Sequence, residues 1–521
     1  MAETTITEKT ETDKTEKRAE PADQISITRH RTRIGKRQLS YTVTCGTMVL
    51  KEETEKEGKS EGEKARAKVF FIAYTLDDVP DKAKRPVTFS FNGGPGSSSV
   101  WLHFGVLGPK RVDLDAEGFA SAPPGKLVPN EFSMLDVSDL VFIDPVGTGY
   151  SRMVEGEKVK EYHEYKRDLE SVGAFIRLYV SRYGRWASPK FLIGESYGTT
   201  RASGLSGHLL ERYGMYLNGV MLVSCALDFA VLRFDPANDL PPTLFLPTYA
   251  ATAWFHKRLP ADLQKKPLRK LLDEVEAFAA NEYAAALFQG ARLPAKDRKE
   301  IVRRVARYTG LTQEYVERTD LRIEIFRFCK ELLRDKGRTV GRLDSRYTGV
   351  DRDSAGEEFE FDPAMAQIYG PYAAAANDYV RNDLRFEADT PYEVIKPLYV
   401  DWGWKDYANR YAAVGETLRK AMSMNPHMRV LVASGYFDFA TPHFAADYSL
   451  DHLGLAPELR DNIRITYYEA GHMMYAHRPS LAKLASELRK FVAGYRGGRG
   501  PSSHARARAR RDGRRGFAGR R

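Results

Sequence analysis

The sequence predicts an α/β fold, a mostly parallel central sheet with both faces covered and a helical cap inserted into it. Two observations carry this. Short apolar stretches at 86–91, 139–144, 190–193 and 218–225 alternate with helical patterns at 159–183 and 199–213. Strands buried on both faces read as unbroken apolar runs, and strands that alternate with helices build parallel sheets. From about 232 to 391 the texture then changes to helix after helix, at 261–288, 296–307, 320–335 and 363–376. Buried strands resume at 428–434 and 462–468, and a closing helix occupies 480–493. A helical block that interrupts a sheet reads as an insertion.

The chain divides accordingly. Residues 1–24 are rich in Thr, Glu and Lys and are expected to be disordered. Residues 25–226 form the first part of the α/β core, 227–391 the helical cap, and 392–496 the second part of the core. The core opens on an antiparallel hairpin, with alternating strands at 37–45 and 67–75 joined by a charged, solvated loop at 51–64. Residues 497–521 form an Arg-rich tail that cannot bury a core and is expected to be disordered.

That tail explains the charge. The 521 residues carry a net charge of +10. Between Arg496 and Arg521 ten arginines face one aspartate, a net of +9, which leaves about +1 for residues 1–495. The folded body is nearly neutral, so the basic balance points to no specific nucleic-acid partner. Cys45, Cys225 and Cys329 are too few and too scattered for a disulfide framework or a metal site, so no metal or cofactor is expected. No stretch reaches about 18 apolar residues, the length of a membrane span. The first residues lack the apolar run of a signal peptide, and a cytoplasmic setting is the expectation. Oligomeric state is not legible.

The chemistry gathers at Gly194-Glu195-Ser196-Tyr197-Gly198, a G-x-S-x-G sequence between a strand and a helix. This is the context of a nucleophile elbow, whose flanking glycines permit a turn that exposes the serine hydroxyl. A serine attacks a carbonyl only if a base takes its proton and a third group orients that base. In α/β-hydrolases these follow the serine as acid and then histidine, on loops after late strands. Asp438 follows the strand at 428–434, and His472 follows the strand at 462–468. Asp438 can accept the Nδ1 proton of His472, which leaves Nε2 for the Ser196 hydroxyl. His443 and His477 are rival bases that do not directly follow a strand. The oxyanion needs donors: the Tyr197 amide, and an amide from the glycine-rich loop Asn92-Gly93-Gly94-Pro95-Gly96 after the early strand.

Together with Pro145-Val146-Gly147-Thr148-Gly149-Tyr150-Ser151 and Gly471-His472-Met473, these motifs resemble the serine carboxypeptidase family, over about 86–226 and 395–495. The resemblance implies an α/β-hydrolase fold and further roles. Asn92, the Gly93 amide and a protonated Glu195 would bind the C-terminal carboxylate of the substrate. The amides of Gly94 and Tyr197 would form the oxyanion hole, and Met473 would line the pocket for the leaving residue. A glutamate beside a bound carboxylate must be protonated, since like charges repel, so activity is expected to be strongest at acidic pH. Ser97 stands where eukaryotic members usually carry a cysteine, which looks like a bacterial-type, non-secretory branch. Tyr436 replaces an aspartate common in the family.

The expected function is that of a serine-type carboxypeptidase acting on peptide or protein C-termini through an acyl-enzyme. The alternatives are an esterase or acyltransferase of the same fold, or a nucleic-acid- or membrane-surface-binding protein acting through the Arg-rich tail.

Overall fold

The computed structural model describes residues 20–494. The tail expected at 497–521 and most of the N-terminal segment expected at 1–24 lie outside the described residues.

Among the described residues, ten strands form the main sheet. Nine are β1 Gln24–Ile34, β2 Arg37–Lys56, β3 Lys59–Leu76, β4 Val87–Phe91, β5 Asp139–Ile143, β6 Lys190–Ser196, β7 Gly219–Cys225, β8 Arg429–Gly435 and β9 Ile463–Tyr468. Their order is β1-β2-β3-β5-β4-β6-β7-β8-β9, and the two-residue strand Arg152–Met153 pairs with β3 off that path. Strands β1, β2, β3 and β5 pair antiparallel. From β5 onward every pairing is parallel.

The central strands are apolar throughout because alternate side chains feed two separate cores. On one face Phe191, Ile193, Met221, Val223 and Leu431 pack under helix Arg478–Ala493, through Leu481, Leu484 and Leu488. On the other, Leu192, Val220, Leu222, Val430 and Val432 meet α1 Tyr165–Arg182 and α2 Tyr197–Tyr213.

The inserted block has a core of its own. The apolar helix Leu240–Phe255 lies at its centre, surrounded by Leu268–Phe278, Ala295–Thr309 and Ile325–Glu331. That central helix is apolar on every side and was not singled out by periodicity, because a helix buried all round shows no polar face. The cap expected at 227–391 needs a correction at its far end. In helix Pro363–Asp378, Ile368, Tyr372, Ala375 and Ala376 join the core beneath the sheet rather than the cap cluster.

Two local expectations also change. The charged loop expected at 51–64 is a continuation of β2 and β3, closed by a tight turn at Glu57 and Gly58 with φ of 53° and 75°. Its side chains are solvated, but the two strands pair antiparallel along its length, and the turn is of the kind that favours hairpins. The helix expected at 159–183 breaks before Tyr165, where the chain at His163–Tyr165 instead exchanges two backbone hydrogen bonds with Gly403.

Candidate active site

Every residue singled out for chemistry lies at the carboxyl end of the parallel strands. Ser196 closes β6 and immediately precedes α2, with φ 59° and ψ −129°. A non-glycine residue keeps such a conformation only where its surroundings hold it. They do so by close approach: a Cβ at Gly194 would overlap the Gly198 carbonyl, and one at Gly198 would lie 2.9 Å from the Phe91 oxygen.

The loop after β4 is pressed against this turn. A Cβ on Gly93 would lie 2.5 Å from the Tyr197 nitrogen and 2.9 Å from the Ser196 Cβ. Gly93 therefore lies directly against Tyr197, the first residue of α2, whose N–H has no intrahelical acceptor. Gly94, at φ 105°, takes a backbone conformation that a side chain would strain.

Asp438 follows β8 and His472 follows β9. His472 Nδ1 lies 2.8 Å from Asp438 Oδ2, and both residues are buried. The carboxylate also accepts from Ala440 N–H at 2.7 Å, Thr441 N–H at 3.0 Å and the Thr441 hydroxyl at 2.7 Å. Burial pushes the Asp438 carboxyl up, but the charge and hydrogen bond of His472, with the Thr441 bonds, hold it below the usual range. Burial pushes His472 down, yet Asp438 and then Glu195 outweigh it, and its pKa is raised. An ionised acid thus orients an imidazole made more basic, the electrostatics a triad requires.

Glu195 and Asn92 are buried next to this centre. The Asn92 side-chain oxygen accepts from Leu102 N–H at 3.1 Å, which fixes the amide, while its Nδ2 has no partner among the described residues. Glu195 Oε2 and the Tyr475 hydroxyl also lack one. Tyr475 and Asn92 lie close enough to favour the Glu195 carboxylate, although neither reaches hydrogen-bonding geometry with it. Burial prevails and pushes the Glu195 carboxyl up to about 7, with Asp438 adding to the push and His472 opposing it. Met473, directly after His472, is buried in the core on that side of the sheet.

The rival histidines are engaged elsewhere. His443 is fully buried with Nε2 2.9 Å from Glu276 of the cap, and His477 Nδ1 lies 2.9 Å from the Ser480 hydroxyl. Tyr436 stacks on Tyr467 at 5.7 Å and makes no bond to Asp438, whose support comes instead from Thr441.

Sequence reasoning missed several supporting groups. Thr441 was detectable, since an aspartate followed three residues later by threonine is a local side-chain-to-backbone turn. Ser224, whose hydroxyl donates to the His472 carbonyl at 2.6 Å, left no such signal. Nor did the cap segment 342–345. Its Arg342 carbonyl accepts from Phe439 N–H at 3.0 Å, and its Leu343 carbonyl accepts from His472 N–H at 2.6 Å. The Asp344 carboxylate accepts from Gly471 N–H at 2.9 Å, and Ser345 N–H donates to the Phe437 carbonyl at 3.0 Å.

The sheet order, the strained serine between β6 and α2, and the acid and histidine after β8 and β9 define an α/β-hydrolase fold with a helical cap. The fold likeness extends to a solved structure, that of a prohormone-processing carboxypeptidase from Saccharomyces cerevisiae. It matches with a TM-score of 0.52 at 16% identity, covering 87% of this chain and 91% of that one. Residues 58–229 match the model of the serine carboxypeptidase family. The pheromone-processing carboxypeptidase of the same yeast is 32% identical over 148 residues, 27% of this chain and 19% of the yeast protein. A serine carboxypeptidase-like protein of Arabidopsis thaliana is 29% identical over 127 residues, 24% of this chain and 25% of the plant protein. These alignments thus span about a fifth to a quarter of the curated relatives.

Proposed function

We propose that this protein is a serine-type carboxypeptidase that removes C-terminal amino acids from peptides. One observation carries the reading beyond a generic hydrolase: Asn92 Nδ2 and Glu195 Oε2 are buried beside the elbow with no hydrogen-bond partner among the described residues. Buried polar atoms are almost always paired, so two orphans in one place favour a polar ligand that completes them. A carboxylate accepts from the Asn92 amide and from a protonated Glu195. A C-terminal amide or an ester does neither as well.

The proposed chemistry gives each of these residues one step. The Ser196 hydroxyl gives its proton to His472 as its oxygen attacks the carbonyl of the last peptide bond, and the amides of Gly94 and Tyr197 receive the oxyanion. His472 then passes the proton to the leaving amine, the C–N bond breaks, and the acyl-enzyme is released by water activated through the same histidine. The free cysteines Cys45, Cys225 and Cys329, all buried, favour a reducing, cytoplasmic setting, which fractionation of the host cell would test.

The test compares a peptide acid with its C-terminal amide, together with fluorophosphonate labelling. Labelling should fall on Ser196, and the acid should be cleaved at least about tenfold faster, the worth of a charged hydrogen bond. Equal rates would reject the carboxypeptidase and leave an esterase or acyltransferase.

A further inference from the structure

Behind the elbow lies a buried ion pair that the reaction as described does not use. Arg201 of α2 and Asp168 of α1 have side chains 1% and 3% exposed, with Arg201 Nε 2.8 Å from Asp168 Oδ2. Arg201 stands one turn after Tyr197, so the two share a face of α2 and the arginine side chain runs back toward the elbow. There its second arm donates to the carbonyl of Asn92 at 2.6 Å. The Tyr197 hydroxyl donates to the same Asp168 oxygen at 3.0 Å. The guanidinium also lies over the rings of Phe91, at 5.3 Å, and Tyr197, at 5.1 Å.

The connections have one common property. The proposed oxyanion donors are the amide of Gly94, two residues after Asn92, and the amide of Tyr197. One donor lies on the loop after β4 and the other on the elbow helix, and no covalent path shorter than 100 residues joins the two. The Asn92 carbonyl and the Tyr197 side chain are both bonded to the same buried pair. A planar guanidinium can meet a carboxylate and a carbonyl from one rigid fork, which a lysine cannot. Stability alone does not account for the pair, because replacing buried ion pairs with apolar residues is often neutral or stabilising.

We propose that Asp168 and Arg201 are positioning residues that set the separation of the two oxyanion donors. The proposal rests on the hydrolytic role assigned to Ser196. A misplacement of about 1 Å costs on the order of a hundredfold in rate, and so does removal of one oxyanion donor.

The test uses the full chain carrying Asp168→Leu with Arg201→Met, which leaves no buried charge unpaired, and separately Tyr197→Phe, which removes one hydroxyl and keeps the amide. Each is measured for kcat and KM on a peptide acid and on p-nitrophenyl acetate. Affinity is measured for a peptidyl boronate, which forms a tetrahedral adduct, and for benzylsuccinate, which does not. In the double variant kcat and boronate affinity should each fall about a hundredfold, while KM and benzylsuccinate affinity stay within about threefold. Tyr197→Phe should show the same split at about three- to tenfold, the worth of one hydrogen bond.

Unchanged kcat and boronate affinity in either folded variant would overturn the proposal. So would equal weakening of boronate and benzylsuccinate, the mark of a generally damaged site. If the double variant fails to fold, Tyr197→Phe decides. The ester separates the two readings: a wild type that cleaves it but no peptide fails as a carboxypeptidase, yet the variants' ester rates still test the pair. A wild type inert on both substrates overturns both.

Discussion

Replacing Glu195 by glutamine should reshape the pH profile rather than merely lower it. The Glu195 carboxyl, pushed up to about 7 by burial, binds a substrate carboxylate only while protonated. The protonated fraction is about ten in eleven at pH 6 and about one in eleven at pH 8, so kcat/KM on a peptide acid should drop about tenfold between them. On the acid side the limb belongs to His472, which must be neutral to act as base and whose pKa is raised against burial chiefly by the charge and hydrogen bond of Asp438. The two groups are coupled, and the limbs report macroscopic values of the pair. Glutamine donates at every pH and carries no charge. The alkaline limb should therefore vanish, the acid limb should stay close to its wild-type position because Glu195 is already protonated and uncharged there, and above about pH 8 the variant should match or exceed the wild type. The assay is kcat/KM from about pH 5 to 9 on a peptide acid, with the C-terminal amide in parallel. If Glu195→Gln kept the wild-type alkaline limb, or the amide showed the same limb as the acid, the reasoning would be refuted.

Three further outcomes follow from the same geometry. Asp438→Asn should lower kcat by about ten thousandfold with KM little changed, because the amide presents the wrong partner to His472 Nδ1. Thr441→Val removes one hydrogen bond to Asp438 and should cost about 1 kcal/mol in thermal unfolding and up to about tenfold in kcat. Gly93→Ala places a methyl against the Tyr197 nitrogen and the Ser196 Cβ; it should abolish fluorophosphonate labelling while circular dichroism stays that of the wild type. Labelling at the normal rate would mean that the loop yields.

What the sequence revealed and what it hid follow a physical division. Ser196, Asp438 and His472 were legible because each follows an apolar strand and lies in or beside a glycine-containing turn, a purely local pattern. The β2–β3 hairpin arm was hidden, because its charged side chains look like a loop although its two strands pair with each other along the arm. The cap helix Leu240–Phe255 was hidden by the absence of a polar face. The supports of the site were hidden for a third reason. Arg201 reaches Asn92, and Leu343 reaches His472, across separations of more than 100 residues, and no local spacing encodes such contacts. Glu195 was singled out through family likeness, and the structure buries it beside the elbow.

The segment 342–345 bears on how the enzyme can move. It is bonded to both loops that carry Asp438 and His472, so the cap cannot swing away as a rigid lid without also releasing those loops. Any loosening of the cap would register first as slower proton transfer rather than as wider access, and amide exchange at Phe439, Gly471 and His472 should rise and fall together with that of the helices above them.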